Sequence, residues 1–257
     1  MKKIARKLSI LLSLMIGYCA NGDIVRSNIS SSHIRYSSSD RGESNPYITD
    51  GLVGMYDGIW NVGIGQHDEN SIVWYDLVGE NHLSVDSTYG VFSSGCKFSI
   101  VDCGNEGYAA IGNAAPPFET MEVVLKFYDG YGQKESGALI CTGYEGRGLG
   151  QFSASWIVMS ASTSNGSGVS GGGLFPSKFR YITFVYSEGL KGRIFLDGRE
   201  VSVGGQAPAV YYIKNLMAIR IKNNPMDVFA IRLYSRQLTD EEIAYNHLVD
   251  VERFNVP

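Results

Sequence analysis

The chain has 257 residues, of which 44% are hydrophobic and 19% charged, so it is a globular protein, long enough for one large all-β domain. Its 31 glycines, 16 tyrosines and 11 phenylalanines favour strands joined by tight turns over a coiled coil or helical bundle. The formal charge is −4; removing Lys2, Lys3, Arg6 and Lys7 of the leading segment from the 22 basic residues leaves 18 against 26 acidic, or −8, which argues against a nucleic-acid partner.

The basic stretch ending at Lys7 precedes the apolar run from Leu8 to Gly17, the layout of a secretory signal, and the run is too short to span a bilayer comfortably. Ile16-Gly17-Tyr18-Cys19 resembles a bacterial lipobox, in which Cys19 would carry lipid and become the mature N-terminus. Tyr18 departs from that pattern, where a small residue is usual, and ordinary cleavage nearby, after Gly22, is the alternative. Both routes imply export, to the cell envelope as a lipoprotein or to the periplasm or medium. The domain plan is a signal over 1–19, a Ser-rich tether over 20–46 and a folded domain over 47–257. Eight serines between Ser27 and Asn45 and the lack of any sustained period mark the tether. In an oxidising compartment Cys96 and Cys103 are placed to close a small loop, which leaves Cys141 as a buried thiol, and three cysteines are too few and too irregular for zinc.

Further along, Phe118 to Tyr128 alternates, with Met121, Val123, Leu125 and Phe127 on one face and Glu122 on the other, which predicts a half-buried strand. Gln151 to Ser160 reads as another strand, Ser162 to Gly173 as a Ser/Gly-rich insert that is either a flexible loop or a mobile edge of a site, and Phe179 to Tyr186 as a central strand, rich in aromatic and β-branched residues on both faces. Arg193 to Leu196, Asp197-Gly198 and Arg199 to Val203 predict a two-residue hairpin. Leu216 to Ile221 and Val228 to Tyr234 are strands, after which Thr239 and Glu242 form a capping box that opens a helix. Ile243, Ala244, His247 and Leu248 share one face of that helix, which is expected to pack at an edge of a sandwich.

Three segments carry a resemblance. They are Gly51 to Asp57 followed by Trp74-Tyr75-Asp76-Leu77-Val78-Gly79-Glu80-Asn81; Tyr181 to Tyr186 running into the Leu196 to Val201 hairpin; and Ile231 to Ile243. Their order and spacing resemble the laminin-G-like, concanavalin A-like lectin/glucanase superfamily, and the closing segment is most similar to versions found in gut-type bacteria. The resemblance covers roughly residues 45–257 and implies an antiparallel jelly-roll β-sandwich with a short C-terminal helix. One such sandwich hosts lectins, adhesins, hydrolases and spacers, so function has to come from the site.

Glycoside hydrolysis usually needs two carboxylates across a sugar cleft. The family's glucanases carry them as Glu-x-Asp-x-x-Glu on one strand, and this chain has no such string. Glu119 and Glu122, three apart, face opposite sides of a strand. No Gly-x-Ser-x-Gly elbow is present, and His33, His67, His82 and His247 are scattered, which suits solvated or structural roles. Asp57, Asp68 and Asp76, on glycine-rich turns, are candidate calcium ligands; the alternative is that they cap turn amides. The resemblance adds weight to calcium, because related modules often bind one ion at the rim. Trp60, Tyr131, Tyr144, Tyr211 and Tyr212 are candidate platforms on which the apolar face of a sugar stacks, whereas Trp74 and Trp156 are expected in the core.

The expected function is therefore an exported, non-catalytic domain that binds a glycan or a surface protein and touches the membrane only through lipid on Cys19. The alternatives are a glycoside hydrolase or lyase using loop carboxylates, and a structural subunit of the envelope that binds protein alone.

Overall fold

A computed structural model describes residues 44–93, 97–101, 103, 107–113, 116, 118–127, 138–142, 148–153, 156–160, 168–171, 179–185, 193–200, 203–204, 217–219 and 225–255. Ser44 to Pro257 form one unit, which begins inside the Ser-rich segment expected over 20–46. Pro46 and Tyr47 pack within it: the Tyr245 hydroxyl donates to Pro46 O at 3.0 Å, and the buried Tyr47 hydroxyl donates to Asp250 Oδ1 at 2.6 Å.

Among the described residues, seventeen strands and one helix are arranged in three layers. An eight-stranded antiparallel sheet has the order β14 (Arg199–Glu200), β13 (Arg193–Leu196), β12 (Phe179–Val185), β7 (Thr120–Phe127), β17 (Met226–Tyr234), β5 (Lys97–Ile100) and β4 (Gly90–Ser93), and β1 (Leu52–Asp57) joins β17 beyond the end of β5. A nine-stranded sheet has the order β15 (Val203–Gly204), β11 (Gly168–Gly171), β10 (Trp156–Ser160), β9 (Gly148–Ser153), β8 (Ala138–Thr142), β16 (Met217–Ile219), β6 (Ala110–Ile111), β3 (Leu83–Val85) and β2 (Val73–Trp74). The inner faces of the two sheets meet in one apolar core: Trp74, Leu83 and Ala110 from the second sheet against Phe98, Ile100, Met121, Val123 and Ile231 from the first. Met121, Val123 and Leu125 share this side, as their alternation predicts.

Helix α1 (Asp240–Phe254) lies on the opposite face of the eight-stranded sheet rather than at an edge of the sandwich. Ile243 and Phe254 pack there with Val124, Tyr181, Phe195, Ala230 and Tyr234. All nine residues of β17 are buried because this strand has core on one side and helix on the other. The buried stripe of the helix is Ile243, Asn246, Asp250 and Phe254, two of them polar, while Leu248 is 57% exposed. Apolar periodicity points to the wrong face of a helix when its docking face is polar and charged.

Two further expectations change. The alternating run from Gln151 to Ser160 is two strands, since Trp156 pairs antiparallel with Ser153. The Ser/Gly-rich insert contains strand β11, whose residues pair with β10. The hairpin is as expected: Asp197 and Gly198 both have positive φ, 51° and 72°, as a primed two-residue turn requires. Thr239 and Glu242 form the reciprocal capping box, with Glu242 N donating to Thr239 Oγ1 at 3.3 Å and Thr239 N donating to Glu242 Oε2 at 2.9 Å. Thr239→Ala should cost about 1 kcal/mol, read as a urea midpoint lowered at unchanged slope.

Candidate functional site

The charged interior between helix and sheet is built around Arg232. Its guanidinium is fully buried; Nε donates to Glu122 Oε2 at 2.8 Å, and Nη1 and Nη2 donate to the two oxygens of Asp250 at 2.8 and 2.5 Å. Glu122 also accepts from Asn246 Nδ2 at 3.0 Å and from the Tyr181 hydroxyl. Burial pushes the Glu122 carboxyl above the usual carboxylate range, against the pull of Arg232 and of the Tyr181 hydrogen bond. Tyr47 joins this cluster to a second one, because Arg253 Nη1 donates both to Tyr47 Oη at 2.8 Å and to Asp57 Oδ2 at 2.5 Å. Burial works against the charge on Arg253, but Asp57 and Tyr47 outweigh it and raise its pKa. His247 stacks on Tyr181 with centroids 5.0 Å apart, and burial lowers its pKa against the opposing pull of Asp197 and Asp250. Arg232, Arg253 and the three carboxylates they hold are directed at one another, so the chemistry of this interior is that of a dock for the helix.

This arrangement accounts for several residues singled out from the sequence. Asp57 is buried, spends Oδ1 on the amides of Ile59 and Trp60 at 2.8 and 3.0 Å, and gives Oδ2 to Arg253. Trp60 is 8% exposed and carries the Arg253 guanidinium 3.9 Å from its ring centroid, so it packs inside instead of offering a face to a sugar. Asp68 accepts the Asn70 amide at 2.9 Å in an exposed turn. Asp76 Oδ1 accepts the amides of Met55 and Val78 at 3.0 and 3.2 Å; Oδ2 is buried with no hydrogen-bond partner. A Cβ on Gly79 would lie 2.6 Å from that oxygen, which explains the glycine three residues after the aspartate. One such oxygen is a single ligand where calcium takes about six to eight. Among the described residues no three His, Cys, Asp or Glu side chains converge to hold a metal, and all three aspartates accept main-chain amides.

Tyr131, Tyr144, Tyr211, Tyr212, Cys19 and Cys96 lie outside the described residues, as do the side chains of Cys141 and Trp156. Cys103 is buried, with Sγ 3.5 Å from Val101 O. Glu119 is exposed and Glu122 buried, opposite sides of the chain as the spacing requires. Trp74 is wholly buried, as expected, with its Nε1 donating to Asp57 O at 3.1 Å.

The exposed chemistry lies where the nine-stranded sheet ends at β2. Val73 pairs with Ser84 and Trp74 with Leu83, so the next rung brings Tyr75 opposite His82 on the outer face, turned away from the core. The two rings lie 4.8 Å apart between centroids with a 48° tilt; Tyr75 is 37% exposed and His82 is exposed. Ser84 and its partner Ile111 continue the same face. His82 is fixed by its Nδ1, which accepts the Asp76 amide at 3.1 Å and leaves Nε2 as the ring's N–H donor. Asn61 fixes the adjoining loop: its Oδ1 accepts Asp68 N at 2.9 Å, its Nδ2 donates to Asp68 O at 2.7 Å, and its main-chain oxygen accepts Tyr75 N at 3.0 Å. The sequence carries a signal for this pair: if Trp74 points into the core, the alternation turns Tyr75 outward.

No family model matches the chain, and no curated protein matches it. Solved structures do resemble it. A Trypanosoma rangeli sialidase in complex with sialic acid superposes with a TM-score of 0.55 at 16% identity, over 78% of this chain and 33% of the sialidase. The botulinum neurotoxin serotype C1 binding domain superposes with a TM-score of 0.57 at 9% identity, over 77% of this chain and 51% of that domain. A structure describing cell entry of botulinum neurotoxin type C as dependent on two ganglioside molecules gives 0.56 at 8% identity, over 77% and 51% of the respective chains. The chain thus spans about a third of the sialidase and half of the toxin domains, and the likeness is one of fold: an all-β protein of antiparallel sheets.

Proposed function

We propose that the protein is an exported, non-catalytic carbohydrate-binding domain of the concanavalin A-like, jelly-roll type, whose ligand lies on the outer face of the nine-stranded sheet. The observation that carries this reading is the exposed Tyr75–His82 pair, an aromatic platform beside an oriented N–H donor. A pyranose stacks its apolar face on such a ring while its hydroxyls take hydrogen bonds from the side, and a recognition site of this kind combines apolar surface with a few fixed polar groups. The resemblance in fold to a sialidase and to toxin binding domains supports the choice. None of the nine described strands of this sheet contains Asp or Glu, the residues a strand-borne acid pair would need, and this supports binding without hydrolysis. The leading segment adds export, with lipid on Cys19 as the anchor.

The test is a glycan array probed with the full chain and with Tyr75→Ala, each with calcium and with chelator. Binding should fall about tenfold or more in the variant, as for truncation of an aromatic anchor, and should be indifferent to chelation. Silence across the array, or binding untouched by Tyr75→Ala, would overturn the reading.

A further inference from the structure

Charge is distributed unequally between the two sheets. The eight described strands of the first carry ten charged residues, Arg193, Arg199, Arg232 and Lys97 among them, whereas the nine described strands of the second carry none. From Gly42 to Cys96 the sequence contains no Lys or Arg. This stretch supplies Tyr75, His82 and Ser84, together with exposed Asp68, Glu69 and Glu80. Asn61 ties the loop bearing Asp68 and Glu69 to the Tyr75 backbone, and Glu80 lies in the turn between Asp76 and His82, which the His82 ring holds through the Asp76 amide, so these acids sit on the segments that carry the aromatic pair.

We propose, resting on the carbohydrate-binding reading above, that this site takes neutral glycans and rejects sialylated, sulfated or uronate-bearing ones. Recognition of a carboxylate or sulfate calls for a guanidinium, an ammonium or a cluster of amide donors. The described strands of this sheet bring no cation to the face, and on the proposed reading the exposed Asp68, Glu69 and Glu80 of the adjoining segments disfavour an anionic sugar through like-charge repulsion. Selectivity arises as much from that repulsion as from contacts with the preferred ligand. The Tyr75 ring and the His82 Nε2–H need only a stacking face and a hydroxyl acceptor, which every neutral hexose offers.

The experiment uses the full chain and a panel of neutral oligosaccharides, each matched to a sialylated, sulfated or uronate-bearing form of the same backbone, with affinities measured by titration calorimetry at low and physiological salt. The neutral member of each bound pair should bind about tenfold or more tightly, and the gap should narrow as salt screens the acids. Glu69→Lys with Glu80→Lys should close most of the gap while leaving neutral binding within about twofold; unchanged circular dichroism spectra and melting temperature show that this variant is folded. Equal or tighter binding of the acidic members, lost on Tyr75→Ala, overturns the selectivity and leaves carbohydrate binding standing. A neutral preference that the double charge reversal does not move also overturns it. Absence of binding to every member overturns both.

Discussion

Arg232→Met should destabilise the fold by about 3–5 kcal/mol, because it removes the cation between two buried carboxylates. Glu122 and Asp250 both take hydrogen bonds from this guanidinium, and neither reaches solvent. Methionine fills much of the space but leaves the negative charges facing each other in a medium of low dielectric, where they must be protonated or hydrated by opening the helix. Since domains are stable by about 5–15 kcal/mol, a loss of this size exposes the chain to unfolding at growth temperature. The reason lies in the missing partner and not in the worth of the ion pair. Neutralising all three positions together, as Glu122→Gln, Arg232→Met and Asp250→Asn, should therefore recover much of the loss. Urea denaturation of the wild type, the single variant and the triple variant measures both steps; a single variant within about 1 kcal/mol of the wild type would contradict this account of the dock.

Trp74→Ala should cost about 3–5 kcal/mol by a different route, the emptying of a core site. The indole is enclosed by Tyr56, Phe92 and Phe98, with ring centroids at 5.9, 5.6 and 4.8 Å, and its Nε1–H satisfies the Asp57 carbonyl. Truncation opens a cavity at the meeting of both sheets and removes that donor. The same residue holds the strand that presents Tyr75, so the glycan affinity proposed above should fall with stability. Trp74→Phe keeps a ring and loses the donor, and should cost clearly less. Denaturation midpoints at unchanged slope establish the order, and equal costs for the two variants would argue against a cavity as the cause.

Much of the framework is legible in the sequence because it is encoded locally. Asp197-Gly198 supplies the two positive-φ residues of a hairpin, Thr239 and Glu242 cap each other, and the alternation of Met121, Val123 and Leu125 marks the core side of β7. What is not legible depends on partners distant in sequence. Arg232 and Glu122 are 110 residues apart, and nothing near either announces that a helix will cover them. The same distance hides the helix face: the docking stripe is held by Asn246 and Asp250, whereas an apolar pattern points to Leu248. Trp60 stands in a loop-like, glycine-rich context that suggests exposure, but Arg253, from the far end of the chain, closes over it. Tyr75 is the reverse case, inconspicuous beside the tryptophan although strand geometry alone sets it on the outer face.

On the proposed reading the ligand lies on the outer face of the nine-stranded sheet at its Tyr75–His82 end. Hydrogen exchange of the full chain, with and without a neutral oligosaccharide selected on the array, tests it directly. Added protection should concentrate in the segments 61–76 and 80–85 and leave α1 unchanged. Protection confined to α1 or to the β13–β14 hairpin, with none at Tyr75 and His82, would contradict the account.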